Sequence, residues 1–377
     1  MISNFPTIAN SQYPEMLQWR PSTLRLADHV YVAFTEQLIS SLYCVLEEAA
    51  PDALSQLKHL PLSSIKRIIE APDTYNQLTR FLRSEQNSLI NYILCAVMAE
   101  KEKPSPGCLI TPLWSCDGSF LVDRVGRPAT YDSDGWRIGG SFDAPMVGGL
   151  VPIDHHSPFA RKEMPVAEFR SVQYGAPSSF SRTEEASANE KITNAFAQIQ
   201  VAAPTAAAFI VRYAKSIVAR KRDGENIVFQ SASRNAYIGQ IVLLNPHASH
   251  VDAEYIAESL IHEATHSLLW RAEVLDHFLL DPGRDTGTVQ SPWSGETVYY
   301  YTLLQACFVW YGIYWFWENM RKRPHVFSTK RMVALQQRAM HGFMQDSYAR
   351  ALMQGADNLK PGIIEVFLEM QKIIKTQ

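Results

Sequence analysis

The sequence predicts a helix-rich α+β protein, with a metal-site helix next to a small sheet and a helical N-terminal subdomain. Three observations predict it. Apolar residues recur every four positions near the N-terminus, and short apolar runs broken by Gly and Pro fill the middle. Beyond them, His262-Glu263-Ala264-Thr265-His266 lies in a long helical pattern that follows a β-rich run. The organisation expected is a helical segment over 1–103, a Gly/Pro-rich strand and loop region over 104–186, and a metal-binding catalytic region over 187–377.

In the first segment, Leu26, Val30, Phe34, Leu38, Leu42 and Leu46 mark one face of a helix over 24–49. Ser22 or Thr23 is placed to cap it and Pro51 to stop it. A second long helix is expected from Asp73 or Thr74 to about Glu100, carrying Leu78, Phe81, Leu82, Leu89, Ile93 and Leu94. From Pro104 to about Gln173, runs such as Phe120-Leu121-Val122 between Asp117-Gly118 and Asp134-Gly135 read as strands and turns. The polar run from Pro177 to Glu190 reads as a linker or exposed loop. Helix is expected from about Ala188 to Arg220 with a break at Pro204, then strands over Ile227–Gln230 and Ala236–Leu244. Helices follow to the end.

Composition sets the bounds. A chain of 377 residues with 46% hydrophobic and 19% charged side chains can build a large core without metal or disulfide staples. Disordered and collagen-like chains are excluded. With 35 basic and 38 acidic residues the net charge is −3, so the basic stripe of a nucleic-acid binder is missing. Cys44, Cys95, Cys108, Cys116 and Cys307 are odd in number and scattered, the usage of reduced thiols. Met1-Ile2-Ser3-Asn4-Phe5-Pro6 lacks the basic and apolar regions of a secretory signal, so a cytoplasmic location is expected. Thr297 to Trp317 carries no charge and reaches transmembrane length. Its tyrosines and Gln305 are spread along it rather than gathered at the ends, which favours a buried helix and no membrane partner.

The His262–His266 motif carries the chemistry. Residues four apart share a helical face, so both imidazoles can grip one metal ion. Glu263 stands about 100° round the axis, positioned as an acid–base group rather than a ligand. Glu258, one turn before His262, is a candidate to hydrogen-bond an imidazole and fix its tautomer. A catalytic zinc needs a third protein ligand, and a non-haem iron(II) oxygenase needs two histidines and a carboxylate. Glu296 is the leading candidate, expected on the first turn of the next long helix after Ser291-Pro292-Trp293-Ser294-Gly295. Asp276 and His277 are its rivals, and Asp281 and Asp285 lie nearby. Asp154-His155-His156 reads as a loop with structural or solvated histidines, since neighbouring residues face different ways and no fourth ligand is evident nearby. Lys221-Arg222 and Arg321-Lys322-Arg323 are expected at helix ends.

The order Ser231-Ala232-Ser233-Arg234-Asn235-Ala236-Tyr237-Ile238-Gly239, strand, HExxH, Ser291-Pro292-Trp293, aromatic helix resembles the HExxH-motif proteins encoded beside ribosomal-peptide modification systems. The likeness covers about residues 190–320. Many relatives have Pro-Trp-Arg where Ser294 stands here, and His or Gln where this chain has Gln305. The resemblance implies an iron(II)- and 2-oxoglutarate-dependent peptide β-hydroxylase whose partner is a ribosomal precursor peptide. The far carboxylate of 2-oxoglutarate calls for a planar cation, for which Arg234 and Arg284 are the candidates. The Ile238–Leu244 strand is a candidate for edge pairing with an extended peptide. The same motif fits a zinc metallopeptidase of the gluzincin type, with Glu296 as third ligand and Glu263 as general base. A scaffold with a structural metal would have no use for Glu263.

Overall fold

A computed structural model of the chain describes residues 12–85, 88–104, 113–122, 130–132, 135–137, 142–161, 178–223, 227–284, 286–323 and 326–377. The fold is α+β and helix-rich. The helices are α1 (Tyr13–Met16), α2 (Pro21–Ala49), α3 (Pro51–Lys58), α4 (Leu62–Glu70), α5 (Pro72–Leu82) and α6 (Leu89–Glu102). Short strands β1 (Leu113–Trp114), β2 (Phe120–Val122), β3 (Thr130–Asp132), β4 (Gly135–Arg137), β5 (Phe142–Asp143), β6 (Met146–Val147) and β7 (Val151–Asp154) come next. Then come α7 (Pro158–Arg161), α8 (Arg182–Ala202), α9 (Pro204–Tyr213), β8 (Ser216–Arg220), β9 (Gln230–Ala232), β10 (Gln240–Leu244) and α10 (Ala253–Leu275). The hairpin β11 (Thr288–Gln290) and β12 (Thr297–Tyr299) leads into α11 (Tyr300–Arg321), α12 (Thr329–Met344), α13 (Ser347–Met353) and α14 (Ile363–Lys375).

Two compact units interleave along the chain, so the boundaries expected at 103 and 186 do not coincide with them. One unit holds Met1–Phe34, Phe196–Tyr213 and Ala257–Gln377; the other holds Thr35–Ala195 and Ala214–Ile256. Helices α2, α8 and α10 each run from one unit into the other, which is why cuts at loops miss the division.

The second unit carries a five-stranded sheet in the order β6-β7-β8-β10-β9. Its middle is parallel, with Ile241 opposite Ile217 and Asp154 opposite Val218, while β9 and β6 pair antiparallel at the edges. Every residue of β8 and β10 is buried, as expected of strands covered on both faces. Two expectations are corrected here. Ser216–Arg220 is a strand rather than the end of a helix, because the β-branched Ile217 and Val218 fit a pleated surface and helix α9 ends at Tyr213. Strand β10 is also flanked on both sides, so it offers no edge to a peptide. Its extended part starts at Gln240, after a short 3-10 turn over Asn235–Tyr237.

The expected helix from 73 to 100 is likewise two helices, broken at Ser84, whose backbone takes a left-handed φ of 58°. Helices α3 and α5 each start at a proline that fits the first helical turn. Buried Glu100 ties α4 to α6, accepting from Ser64 Oγ and Arg67 Nε at 2.7 Å each. The Asp117-Gly118 turn forms as read: Gly118 has φ +75°, and a Cβ there would meet Asp154 Oδ2 at 2.4 Å.

The segment that feeds α10 is also fixed in this unit. Asn245 leaves β10 at a positive φ of 54°, accepting from the Arg222 amide (2.8 Å) and donating to the Val228 carbonyl (3.1 Å). Lys191 Nζ then donates to the carbonyls of Ala248 (2.6 Å), Val251 (3.0 Å) and His247 (3.4 Å). Asp252 Oδ1 caps the helix by accepting from the Tyr255 amide at 3.2 Å.

The first unit is built on α11, buried almost all round from Tyr300 to Met320. Among the described residues no helix is long and apolar enough to cross a membrane. Neighbours cover it closely: Trp19 Nε1 donates to the Gly312 carbonyl at 2.7 Å, and Gln18 Nε2 donates to Tyr311 Oη at 3.1 Å. Residues Leu260, Ile261, Ala264, Leu268 and Leu269 of α10 are fully buried in the same unit, leaving the histidine face to the site.

Candidate metal centre

Helix α10 turns His262 and His266 the same way. Their ring centroids are 5.0 Å apart at 57°. One ligand atom from each, together with a carboxylate oxygen of Glu263, lies within 4.8 Å of the other two. It is the one group of three or more metal-capable side chains among the described residues. Glu263 is buried, with Oε1 4.0 Å from His262 Nε2, beyond hydrogen-bond reach. Burial pushes the His262 imidazole down to about 4, against the pull of Glu263, so the ring is neutral at pH 7 and keeps a lone pair for a metal.

Helix α11 supplies the support that Glu258 was expected to give. His266 Nδ1 is 3.2 Å from Gln305 Oε1, and Gln305 Nε2 donates to Tyr301 Oη at 3.1 Å. Trp270 stacks on the His266 ring at 5.4 Å and 19°, and Trp310 stands edge-on to His262 at 6.0 Å. Behind Trp310 lies Trp293 of the Pro-Trp element, stacked at 6.2 Å and 16°. Trp293 Nε1 donates to the Ala339 carbonyl at 2.9 Å, and its ring lies where a Cβ on Gly342 would stand. Glu258 does not reach an imidazole. Its oxygens accept from Trp317 Nε1 (2.7 Å) and from Arg338, whose guanidinium also lies 5.5 Å from the Trp310 ring centroid. Burial raises the Glu258 carboxyl even so, outweighing both partners.

The other candidates fall elsewhere. Glu296 is exposed in the turn between β11 and β12, its amide bonded to Ser294 Oγ at 3.3 Å and its carbonyl to the Ser291 amide at 2.8 Å. Helix α11 starts four residues later because Thr297–Tyr299 pairs with β11, so Glu296 is not on a helical first turn and is not in the His262 group. Asp276 pairs with Lys360, and half-exposed His277 lies 3.4 Å from Glu273. Asp281 accepts from the Gly283 amide, and Asp285 lies outside the described residues. Arg284 forms an exposed ion pair with Asp357 at 2.7 Å. Half-buried Arg234 belongs to the other unit, its guanidinium 5.7 Å from the Tyr237 ring centroid.

His155 and His156 belong to the second unit and lie outside the His262 group. His155 Nε2 bonds Asn189 Oδ1 at 2.7 Å and His156 Nε2 bonds Glu185 Oε2 at 3.1 Å. Lys221-Arg222 follows a strand rather than a helix, whereas Arg321 does close α11. Sequence reading missed Trp310 and Arg338. Trp310 was hidden in a uniformly aromatic helix, and Arg338 is 80 residues from the glutamate it pairs with.

No protein-family model matches this chain, and no curated protein matches it either.

Proposed function

We propose that the chain is a non-haem iron(II)- and 2-oxoglutarate-dependent hydroxylase acting on the β-carbon of a side chain in a peptide, in keeping with a ribosomal precursor as partner. The observation that carries this reading is the donor set: two neutral-capable imidazoles and one carboxylate converging on one space. Two histidines and a carboxylate with positions left open is the set that suits iron(II) oxygen chemistry. Donors on one face of an octahedral ion, each about 2.1 Å from it, stand about 3 Å apart. The ligand atoms here lie within 4.8 Å of one another, so the side chains have to rotate inward to close on a metal. On this reading His262, Glu263 and His266 hold the metal, and Glu263 is a ligand rather than a base.

When bound, iron with 2-oxoglutarate and dioxygen supplies the oxidising power for C–H hydroxylation. The protein contributes orientation. Gln305 and Trp270 hold His266 in one rotamer and one tautomer, and Trp310 walls His262. Arg338, paired with Glu258 but set against the Trp310 wall, stands nearer the His262 ring than Arg284, which pairs with Asp357, and is our candidate cation for the far carboxylate of 2-oxoglutarate.

The zinc-peptidase reading rests on the same two histidines with Glu263 as general base. It loses its expected third ligand, since Glu296 is exposed outside the group. Anaerobic loading with iron(II), followed by assay of peptide-dependent conversion of 2-oxoglutarate to succinate, tests the proposal. Peptide cleavage with zinc and no 2-oxoglutarate would reverse the choice.

A further inference from the structure

A glutamine amide can meet an imidazole with its oxygen or with its nitrogen, and the end it offers decides which ring nitrogen keeps the proton. Gln305 offers Oε1 to His266 Nδ1 at 3.2 Å and turns Nε2 to Tyr301 Oη at 3.1 Å. A tyrosine hydroxyl both accepts and donates, so Tyr301 alone does not fix this direction. A group beyond Tyr301 has to.

Glu273 is placed to do so. It follows His266 by about two turns on the same face of α10, and Tyr301 precedes Gln305 by about one turn on α11. All four residues belong to one unit. Glu273 is 6% exposed. Its Oε2 accepts from the Phe278 amide at 3.1 Å and lies 3.4 Å from His277 Nδ1, whereas buried Oε1 has no hydrogen-bond partner. A buried carboxylate oxygen without a donor is costly. Tyr301 lies within range of the Glu273 charge, which adds to burial in keeping the phenol protonated and therefore a donor. Tyr13 of α1 feels the same charge, and Lys360 and Asp276 act on Glu273 in turn.

We infer that Glu273 is a positioning residue for the metal centre: its carboxylate takes the Tyr301 proton, directly or through one water, and so holds Gln305 Oε1 on His266 Nδ1–H and leaves Nε2 for the metal. The consequence for the metal rests on His266 being a ligand, as read above. A bridging water passes the polarity on unchanged, because it donates to the carboxylate and accepts from the phenol. Burial raises the Glu273 carboxyl to about 7, against the Phe278 amide and Lys360, so at pH 8.5 it is largely ionised and can only accept.

Glu273→Gln tests this, because it keeps the shape and turns one acceptor into a donor. The new amide keeps its oxygen on the Phe278 N–H, so its NH2 takes the place of Oε1 and donates toward Tyr301. The chain then runs backwards: Tyr301 donates to Gln305, Gln305 turns its nitrogen to His266, and the ring proton moves to Nε2. Nitrogen-15 histidine spectra of the metal-free full chain at pH 8.5 read the tautomer, with the His266 signals identified by their loss in His266→Gln. The wild type should show the Nδ1–H form and Glu273→Gln the Nε2–H form, with cobalt(II) affinity lower by about 10–100-fold. In a Tyr301→Phe background, Glu273→Gln should change neither. An Nε2–H wild type, a tautomer unmoved by Glu273→Gln, or an equal shift in the Tyr301→Phe background overturns the inference. Should Glu273→Gln fail to fold, Tyr301→Phe alone breaks the chain; both tautomers appearing would support the inference, and a single persisting Nδ1–H form would overturn it. A tautomer shift with no cobalt(II) bound even by the wild type would refute His266 as a ligand while supporting Glu273 as the residue that sets its tautomer.

Discussion

His266 Nδ1 lies 3.2 Å from Gln305 Oε1, a hydrogen bond between the metal-motif helix and the largely buried helix α11. An amide oxygen only accepts, so the bond puts the ring proton on Nδ1 and leaves Nε2 as a lone pair. Gln305→Leu keeps the volume and removes the acceptor. Metal affinity should fall about 10–100-fold, as for other lost partners of ligating histidines, with little change in Tm. Competition titration with a cobalt(II) or iron(II) indicator reads this directly. Unchanged affinity would mean that Gln305 merely packs.

The three donors separate the two chemistries. His262→Ala and His266→Ala should each abolish tight metal binding under either. Glu263→Gln should weaken iron(II) binding at least tenfold if the carboxylate is a ligand. A general base would leave the affinity intact and abolish turnover alone. Metal content after anaerobic desalting, measured beside turnover, tells these apart, and full retention of metal would return Glu263 to the acid–base role that its helical position suggests.

Local patterns carried much of this fold into the sequence. The four-residue repeat of Leu26 to Leu46 becomes α2, and the His262/His266 spacing becomes one face of α10. What stayed hidden depends on long-range partners. Ser216–Arg220 reads as a helix until β7 and β10 are placed beside it, and Glu296 reads as helical until Val298 pairs with Val289. Glu258 has the right helical phase to serve His262. Trp317 and Arg338, 59 and 80 residues away, claim it instead. A helix's own spacing says which residues share a face, but not which neighbour arrives there first.

Gly342 shows how such a neighbour can dictate a residue. Within α12, alanine would ordinarily be favoured over glycine by about 1 kcal/mol. A Cβ on Gly342 would lie 2.3 Å from two carbons of the Trp293 indole, which is held by its bond to Ala339 and by Phe343 at 5.0 Å. Gly342→Ala should therefore destabilise the protein, by about 1–3 kcal/mol, and displace Trp293 from Trp310. Denaturant unfolding with tryptophan fluorescence reports both effects. A stabilised variant would show that the indole yields freely.

Asp154 gives stability a pH dependence whose sign can be fixed in advance. The side chain is 2% exposed, and burial raises its carboxyl from 3.8 to about 6, outweighing the bonds from Ser157 and His156. A carboxyl raised on folding favours the folded state most when both states are protonated, below about pH 3.8. That contribution is lost as pH rises toward 6 and is absent above it. A rise of 2.2 units (6 − 3.8) corresponds to about 3 kcal/mol at most. Asp154→Asn does not titrate, so its stability relative to wild type should improve between pH 4 and 6 and then hold level to pH 8. Other titrating groups largely cancel in the difference between the two proteins, which leaves Asp154 as its source. Urea midpoints of both proteins at pH 4, 5, 6 and 7 measure it. A difference that moves the other way would mean that the ionised carboxylate is stabilised where it lies, with the Arg220 charge outweighing the loss of water.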